Sequence, residues 1–378
     1  MIILKKAVLP KGFKANGLSC GLKKSGKADL ALFYSDTPAQ AACLFTSNKI
    51  IAAPLKLNKQ LLKKQGLFQA ILVNSGNANC FTGIAGVKKA KESADSAASA
   101  LQVKQGMVLA NSTGIIGKAL DVSKIKKALP ALVKGLSAAG LPKASEAIMT
   151  TDTFKKEIAV SLDCGKKKVI ISACAKGAGM ISPDMATLLC FIMTDADITA
   201  KALKQALKES VEKSFNCLTV DGCMSTNDSV MMFANGQACN RRISAGKDYR
   251  QFAQALTYVC LKLAKMIAKD GEGATKFIQI TVDKARNDLE AKKAALAIAN
   301  SNLFKTAVFG ENPNFGRIFA AVGACGIEVD EESVKCKVSP LKNKEVDVYL
   351  QINKGKGKAT VYTSDLTPEY VKINAEYN

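Results

Sequence analysis

Six short apolar runs set the terms on which this chain can fold. "QAILVN" (69–74), "GMVLAN" (106–111), "KKVIISAC" (167–174), "TLLCFIM" (187–193), "KFIQITVD" (276–283) and "EVDVYLQI" (345–352) are six to eight residues long and rich in aliphatic side chains, the length and content of strands. The last alternates Val346, Val348, Leu350 and Ile352, the two-residue period of a strand with one buried face. Helical periods lie between the runs. Leu203, Leu207 and Val211 follow a capping Thr199, and Phe252, Leu256, Cys260, Leu263 and Ile267 form a stripe that stops at Gly271. Strands and helices mix without the strict alternation of a doubly wound sheet, so the expected class is α+β, a layered α/β sandwich with mixed sheets. Neither a repeat nor a low-complexity linker divides the chain.

With 378 residues, 48% of them apolar, there is enough chain for one large domain or two ordinary ones. Histidine is absent. That removes every Ser-His-Asp and Cys-His arrangement, every His-ligated metal and the usual general base near neutral pH. Twelve cysteines are scattered from Cys20 to Cys336 without one CxxC pair; they read as small buried hydrophobes of a reducing compartment. No metal and no cofactor are expected. The opening "MIILKKAVLPKGF" is too briefly apolar for a signal peptide or anchor, and no run approaches the roughly 18 residues that span a bilayer. A soluble, cytoplasmic protein without a membrane partner is expected.

The net charge of +22 raises the question of nucleic acid, but arginine occurs only at Arg241, Arg242, Arg250, Arg286 and Arg317, and tryptophan is absent. Base readout and phosphate forks favour arginine, and stacking platforms need aromatics. The lysines read instead as solvated helix faces, as in "KKAKESADSAASAL", and no nucleic-acid partner is expected.

Chemistry concentrates where polar, glycine-containing stretches follow the apolar runs: "NSGNANCFTG" (74–83), "NSTGIIG" (111–117), "TTDTFKK" (150–156), "KGAGM" (176–180), "DGEGATKF" (270–277) and "GENPNFGRI" (310–318). In "NSTGIIG", Thr113 brings a hydroxyl and Gly114 an N–H that nothing shields, the two donors an oxyanion needs; a plain turn has the same composition. Thr187 opens an apolar run directly after "ISPDMA". As a β-branched residue it suits a strand. If the Ala186–Thr187 bond is cut, its freed α-amino group, with a pKa of about 7.7 to 8.0, becomes a general base one bond from the hydroxyl. That replaces the histidine the chain lacks. The residues alone leave both readings open.

"KGAGMISPDMATLL" (176–189) resembles the signature of the ornithine acetyltransferase family, the glutamate N-acetyltransferases. "LPKGFKANG", "DLALFYSD", "NSGNANCFTG", "NSTGIIGK", "MTTDTFKK", "SFNCLTVDGCMSTNDS", "DGEGATKFI", "NPNFGRI" and "VKINAEY" follow in that family's order, so the resemblance covers essentially the whole chain. It implies self-cleavage between Ala186 and Thr187 into an α chain (1–186) and a β chain (187–378), assembled as α2β2 or larger. It implies small-molecule substrates: an acetyl group taken from N2-acetylornithine onto the Thr187 hydroxyl and passed to glutamate, with acetyl-CoA a further donor in some members. Thr113 and Gly114 would form the oxyanion hole, and Thr150, Lys176, Thr187, Glu272 and Asn374 would line the substrate site. Lys176 suits the α-carboxylate of both substrates, and Glu272 suits an ammonium group of ornithine. The implied fold is that of certain self-processing aminopeptidases, and a self-cleaved aminopeptidase or amidohydrolase, with water as acceptor, is the alternative. Family members carry a serine or threonine a few residues beyond the position of Asn374; this chain stops at Asn378, one position short.

Overall fold

A computed structural model describes residues 1–182 and 188–376, which group into two units. Counting described residues, the first comprises 1–177, 188–213 and 225–263 and the second 178–182, 214–224 and 264–376.

The first unit is built on a nine-stranded sheet. Its strands are β1 (Ile2–Ile3), β2 (Phe13–Leu18), β3 (Leu30–Phe45), β4 (Leu67–Asn77), β5 (Val108–Ile115), β6 (Lys156–Cys164), β7 (Lys167–Lys176), β8 (Leu189–Thr194) and β9 (Ser229–Ala234). They run in the order β1-β6-β7-β8-β9-β3-β4-β5, with β2 paired to β3. β4/β5 and β8/β9 are parallel and their neighbours antiparallel, so the sheet is mixed. Helices α1 (Ala53–Lys64), α2 (Gly83–Leu101), α3 (Val122–Lys134), α4 (Leu141–Ile148) and α5 (Ala200–Glu212) belong to this unit, as does most of α6 (Gly246–Lys269).

The apolar runs lack alternation because both faces of this sheet are covered. Ala31 and Phe33 of β3, Ile71 and Val73 of β4 and Leu109 of β5 pack with Leu141, Ala144 and Ile148 of α4. Leu30, Leu32, Ala70, Leu72, Val108 and Ala110, one residue out of phase, pack with Ala90, Ala94, Ala97 and Ala98 of α2 and Ile125, Leu129 and Leu132 of α3. The expected capping of α5 is present, with the Thr199 side chain accepting from Ala202 N–H at 3.3 Å. The stripe Phe252, Leu256, Cys260, Leu263 and Ile267 on α6 is wholly buried.

The second unit carries β10 (Phe277–Ala285), β11 (Lys335–Val338), β12 (Glu345–Gln351) and β13 (Gly357–Ser364) in the order β11-β12-β10-β13, with β10 and β12 parallel. α7 (Asp288–Ala299) lays Ala291, Ala294, Ala295 and Ile298 against β10 and β13. α8 (Asn302–Phe309), α9 (Gly316–Gly323) and α10 (Pro368–Glu376) complete it. On β12 the expected alternation holds, with Val346, Val348 and Leu350 buried and Glu345 and Asp347 exposed.

Both sheets are mixed and carry helices, which is the α+β class. The strand expected from Thr187 is described from Leu189; Ala186 and Thr187 lie outside the described residues. The twelve cysteines form no disulfide. Among the described residues no helix is long and apolar enough to cross a membrane.

Candidate active site

The two asparagine-serine stretches begin as strand. β4 continues through Asn77 and β5 through Ile115, so Thr113 and Gly114 lie inside a strand rather than on a turn. Side-chain amides make this possible by bonding backbone that would otherwise be buried unpaired. Asn58 of α1 donates to Ala110 O (2.7 Å) and accepts from Ala110 N–H (3.0 Å). Asn227 donates to Ser112 O and Ala78 O, both at 2.7 Å. The Ser112 hydroxyl donates to Asn74 Oδ1 at 2.6 Å, and Asn74 donates to Asn77 O at 2.9 Å.

Glycine is required where the two strands meet at their ends. Gly114 has φ +127°, and a Cβ on it would lie 2.4 Å from the carbonyl carbon of Gly76. Gly114→Ala is therefore expected to lower stability by about 2 kcal/mol or more, since strain at positive φ and a backbone clash combine. Denaturant unfolding of the variant beside the parent checks this.

Lys176, the last residue of β7, is buried and its Cα pairs with that of Leu189, the first residue of β8. Its ammonium donates to Thr113 Oγ1 at 3.3 Å, which leaves the threonine proton to be donated elsewhere. Below it, Asp152 accepts from Gly177 N–H (2.7 Å), Thr150 N–H (3.0 Å) and Lys156 Nζ (2.7 Å), and both members of the Asp152–Lys156 pair have fully buried side chains. Burial alone would raise the Asp152 carboxyl; the ammonium groups of Lys176 and Lys156 outweigh it and hold the pKa down to about 2. Asp152 thus ties the loop that carries Thr150 to the end of β7, where Lys176 stands. On the other side of β8, Ser229 N–H donates to Leu188 O at 3.0 Å. The adjacent Asp228 is fully buried, with neither oxygen in hydrogen-bonding geometry with a partner among the described residues. Burial lifts its pKa well above the ordinary carboxylate range, against the pull of the nearby Lys176 charge.

The second unit brings Glu272 and Asn374 into contact. Asn374 Nδ2 donates to Glu272 Oε2 (2.8 Å) and to Tyr370 O (3.0 Å), and Glu272 N–H donates to Ala178 O (3.0 Å). Gly179 lies against the Glu272 carboxylate, where a Cβ would fall 2.2 Å from Oε2. Asp221 takes hold of the next residues, accepting from Met180 N–H (2.6 Å), Ile181 N–H (2.9 Å) and the Tyr370 hydroxyl (3.1 Å). Burial first, and then the Asp221 carboxylate, push the Tyr370 phenol far above its ordinary range.

The structure thus joins Thr113, Gly114, Thr150 and Lys176 in one unit and Glu272 with Asn374 in the other. Asp152, Lys156, Asp221 and Asp228 were not singled out from sequence. The one available signal was Asp152 itself, a carboxylate in a short polar loop with a lysine four residues on.

The ArgJ family matches residues 14–342 and 337–378. The chain is 44% identical over 389 aligned residues to the arginine biosynthesis bifunctional protein ArgJ of Geobacter sulfurreducens, covering 97% of this chain and 99% of that protein. The protein of the same name from Dehalococcoides mccartyi is 45% identical over 391 residues, covering 97% of this chain and 96% of its own length. Among solved structures, the ArgJ of Bacillus halodurans is 37% identical, covering 50% of this chain and 98% of that one, with a TM-score of 0.48.

Proposed function

Because the chain belongs to the ArgJ family of arginine-biosynthesis proteins, we propose that it is a cytoplasmic glutamate N-acetyltransferase that moves the acetyl group of N2-acetylornithine to glutamate through an ester on Thr187. Cleavage after Ala186 gives an α chain (1–186) and a β chain (187–378), assembled as α2β2, and frees the Thr187 amine. That amine takes the proton of the Thr187 hydroxyl as its oxygen attacks the acetyl carbonyl. The Thr113 hydroxyl and Gly114 N–H receive the charge that develops on the carbonyl oxygen. The C–N bond to ornithine then breaks, the proton passes to the departing nitrogen, and acetyl-threonine remains. Glutamate attacks this ester with its own amine and the steps reverse, leaving acetylglutamate and free Thr187.

Lys176 and Thr150 hold the α-carboxylate common to both substrates, and Glu272 with Asn374 receives an ornithine ammonium group. The observation that most supports this reading is the 3.3 Å bond from Lys176 to Thr113. It sets a buried cation beside the donor pair, on the strand flanking the one that follows Thr187. The test is to incubate the protein and glutamate with acetylornithine or, separately, acetyl-CoA as second donor. Acetylglutamate and ornithine should appear in equal amounts in the first arm, and acetylglutamate in the second. Free acetate without acetylglutamate would assign the chain to the amidohydrolases instead.

A further inference from the structure

The acetyl-transfer scheme uses Lys176 and leaves unused a second lysine, Lys23, in the loop between β2 and β3. Asp29 is fully buried and accepts from the N–H groups of Cys20 (2.6 Å), Leu22 (2.6 Å) and Lys23 (2.9 Å), which fixes the backbone of residues 20–23. From there the Lys23 stem crosses Gly76, where a Cβ would lie 3.0 Å from Lys23 Cγ, and Gly76 in turn backs onto Gly114. Lys23, Gly76 and Gly114 stand in one row. A glycine at 76 lets the lysine stem lie against the strand that pairs with the one bearing Gly114. Of the three ammonium donors, one is engaged by Ala28 O at 2.6 Å; among the described residues the other two are open to a ligand.

The two substrates share an α-amino acid frame and differ at the far end, where ornithine ends in an amine and glutamate in a carboxylate. Lys176 answers the carboxylate they share. The second carboxylate, present only in the acceptor, calls for a second cation. We infer, resting on the acetyl-transfer reading, that Lys23 receives the side-chain carboxylate of glutamate and so makes the acceptor site specific for a dicarboxylate. The charges acting on Lys23 are those of Asp29, Lys176, Asp152 and Lys27, and half-burial brings its pKa down to about 8. A lysine so poised is held protonated by a bound carboxylate and gives up its proton readily when none is bound.

The experiment compares glutamate with glutamine, its uncharged isostere, as acceptors of the acetyl group from acetylornithine. Lys23→Met is expected to lower kcat/KM for glutamate by about 10- to 100-fold, the loss of one charge-assisted bond. Glutamine, and the release of ornithine in the first half-reaction, should change by no more than about threefold. Lys23→Arg should keep most of the preference, and Lys24→Met, on the exposed neighbouring residue, all of it. In the unsubstituted enzyme the glutamate-to-glutamine ratio, from which the shared amine titration cancels, should fall above about pH 8, and in Lys23→Arg it should not. A ratio flat with pH in the unsubstituted enzyme overturns the assignment even if Lys23→Met does not fold. So does a Lys23→Met enzyme that keeps the original ratio, or that loses both acceptors and the donor step together. An unsubstituted enzyme that moves no acetyl group at all overturns the underlying reading instead.

Discussion

Thr187→Ala is expected to remain a single 378-residue chain and to lose acetyl transfer by a factor on the order of a thousand or more, the scale seen when a covalent nucleophile is removed. Both effects follow from one deficiency. A chain without histidine has no ordinary partner for a hydroxyl near neutral pH, and a terminal amine with a pKa of about 7.7 to 8.0 is the nearest substitute. In the proposed scheme one hydroxyl both attacks its own preceding carbonyl during cleavage and later carries the acetyl group, so a single substitution should remove both reactions. A denaturing gel should show unsubstituted protein as two fragments of similar size, residues 1–186 and 187–378, and the variant as one band. Thr187→Ser keeps a hydroxyl and should still be cut. Its acetyl transfer should exceed that of Thr187→Ala by orders of magnitude, and kcat/KM should rise with pH across the titration of the new amine. Full-length protein with undiminished activity would refute the scheme.

What could be read in advance divides along physical lines. The six apolar runs announced β4, β5, β7, β8, β10 and β12 because a strand buried on two faces, or alternating on one, leaves a mark of period one or two. β3 left no such mark. Its 16 residues are broken by Asp36 and Pro38, and only the structure shows a register shift between Tyr34 and Ala39 that absorbs them. The ends of β4 and β5 were misread for a related reason: asparagine, serine and glycine suit turns, and their continuation as strand depends on Asn58 and Asn227, partners distant in sequence. Among the site residues, Thr113 could be named from chemistry, since a hydroxyl beside an open glycine N–H suits an oxyanion, and Lys176 only from the family resemblance. Asp152, Lys156 and Asp228 could not. An acidic or basic residue in sequence is by default solvated, and only the fold reveals that these are enclosed.

That enclosure makes Asp152→Asn the most damaging single change expected outside the nucleophile. Breaking a buried ion pair on one side leaves the other charge uncompensated and costs about 3–5 kcal/mol. Lys156, with no exposed side-chain surface, would then face an amide in place of a carboxylate. The asparagine also cannot accept as the carboxylate does from Thr150, Lys156 and Gly177 together, because one of its two arms is a donor. Lys156→Met should cost less, since Asp152 keeps two backbone N–H groups and the field of Lys176. The double variant should recover part of the loss, with a coupling energy measurable by a double-mutant cycle. The pH dependence fixes the sign. The folded pKa of Asp152, about 2, lies below its unfolded value of about 3.9, so this contribution is complete above pH 4 and is lost as pH falls through 2. Asp152→Asn should lack that component of acid unfolding. Because the same carboxylate anchors the loop bearing Thr150 to the end of β7, where Lys176 stands, the folded fraction of Asp152→Asn should also show a raised KM for acetylornithine. A variant that unfolds in acid as the parent does, at unchanged KM, would show that Asp152 neither holds its charge nor positions the site.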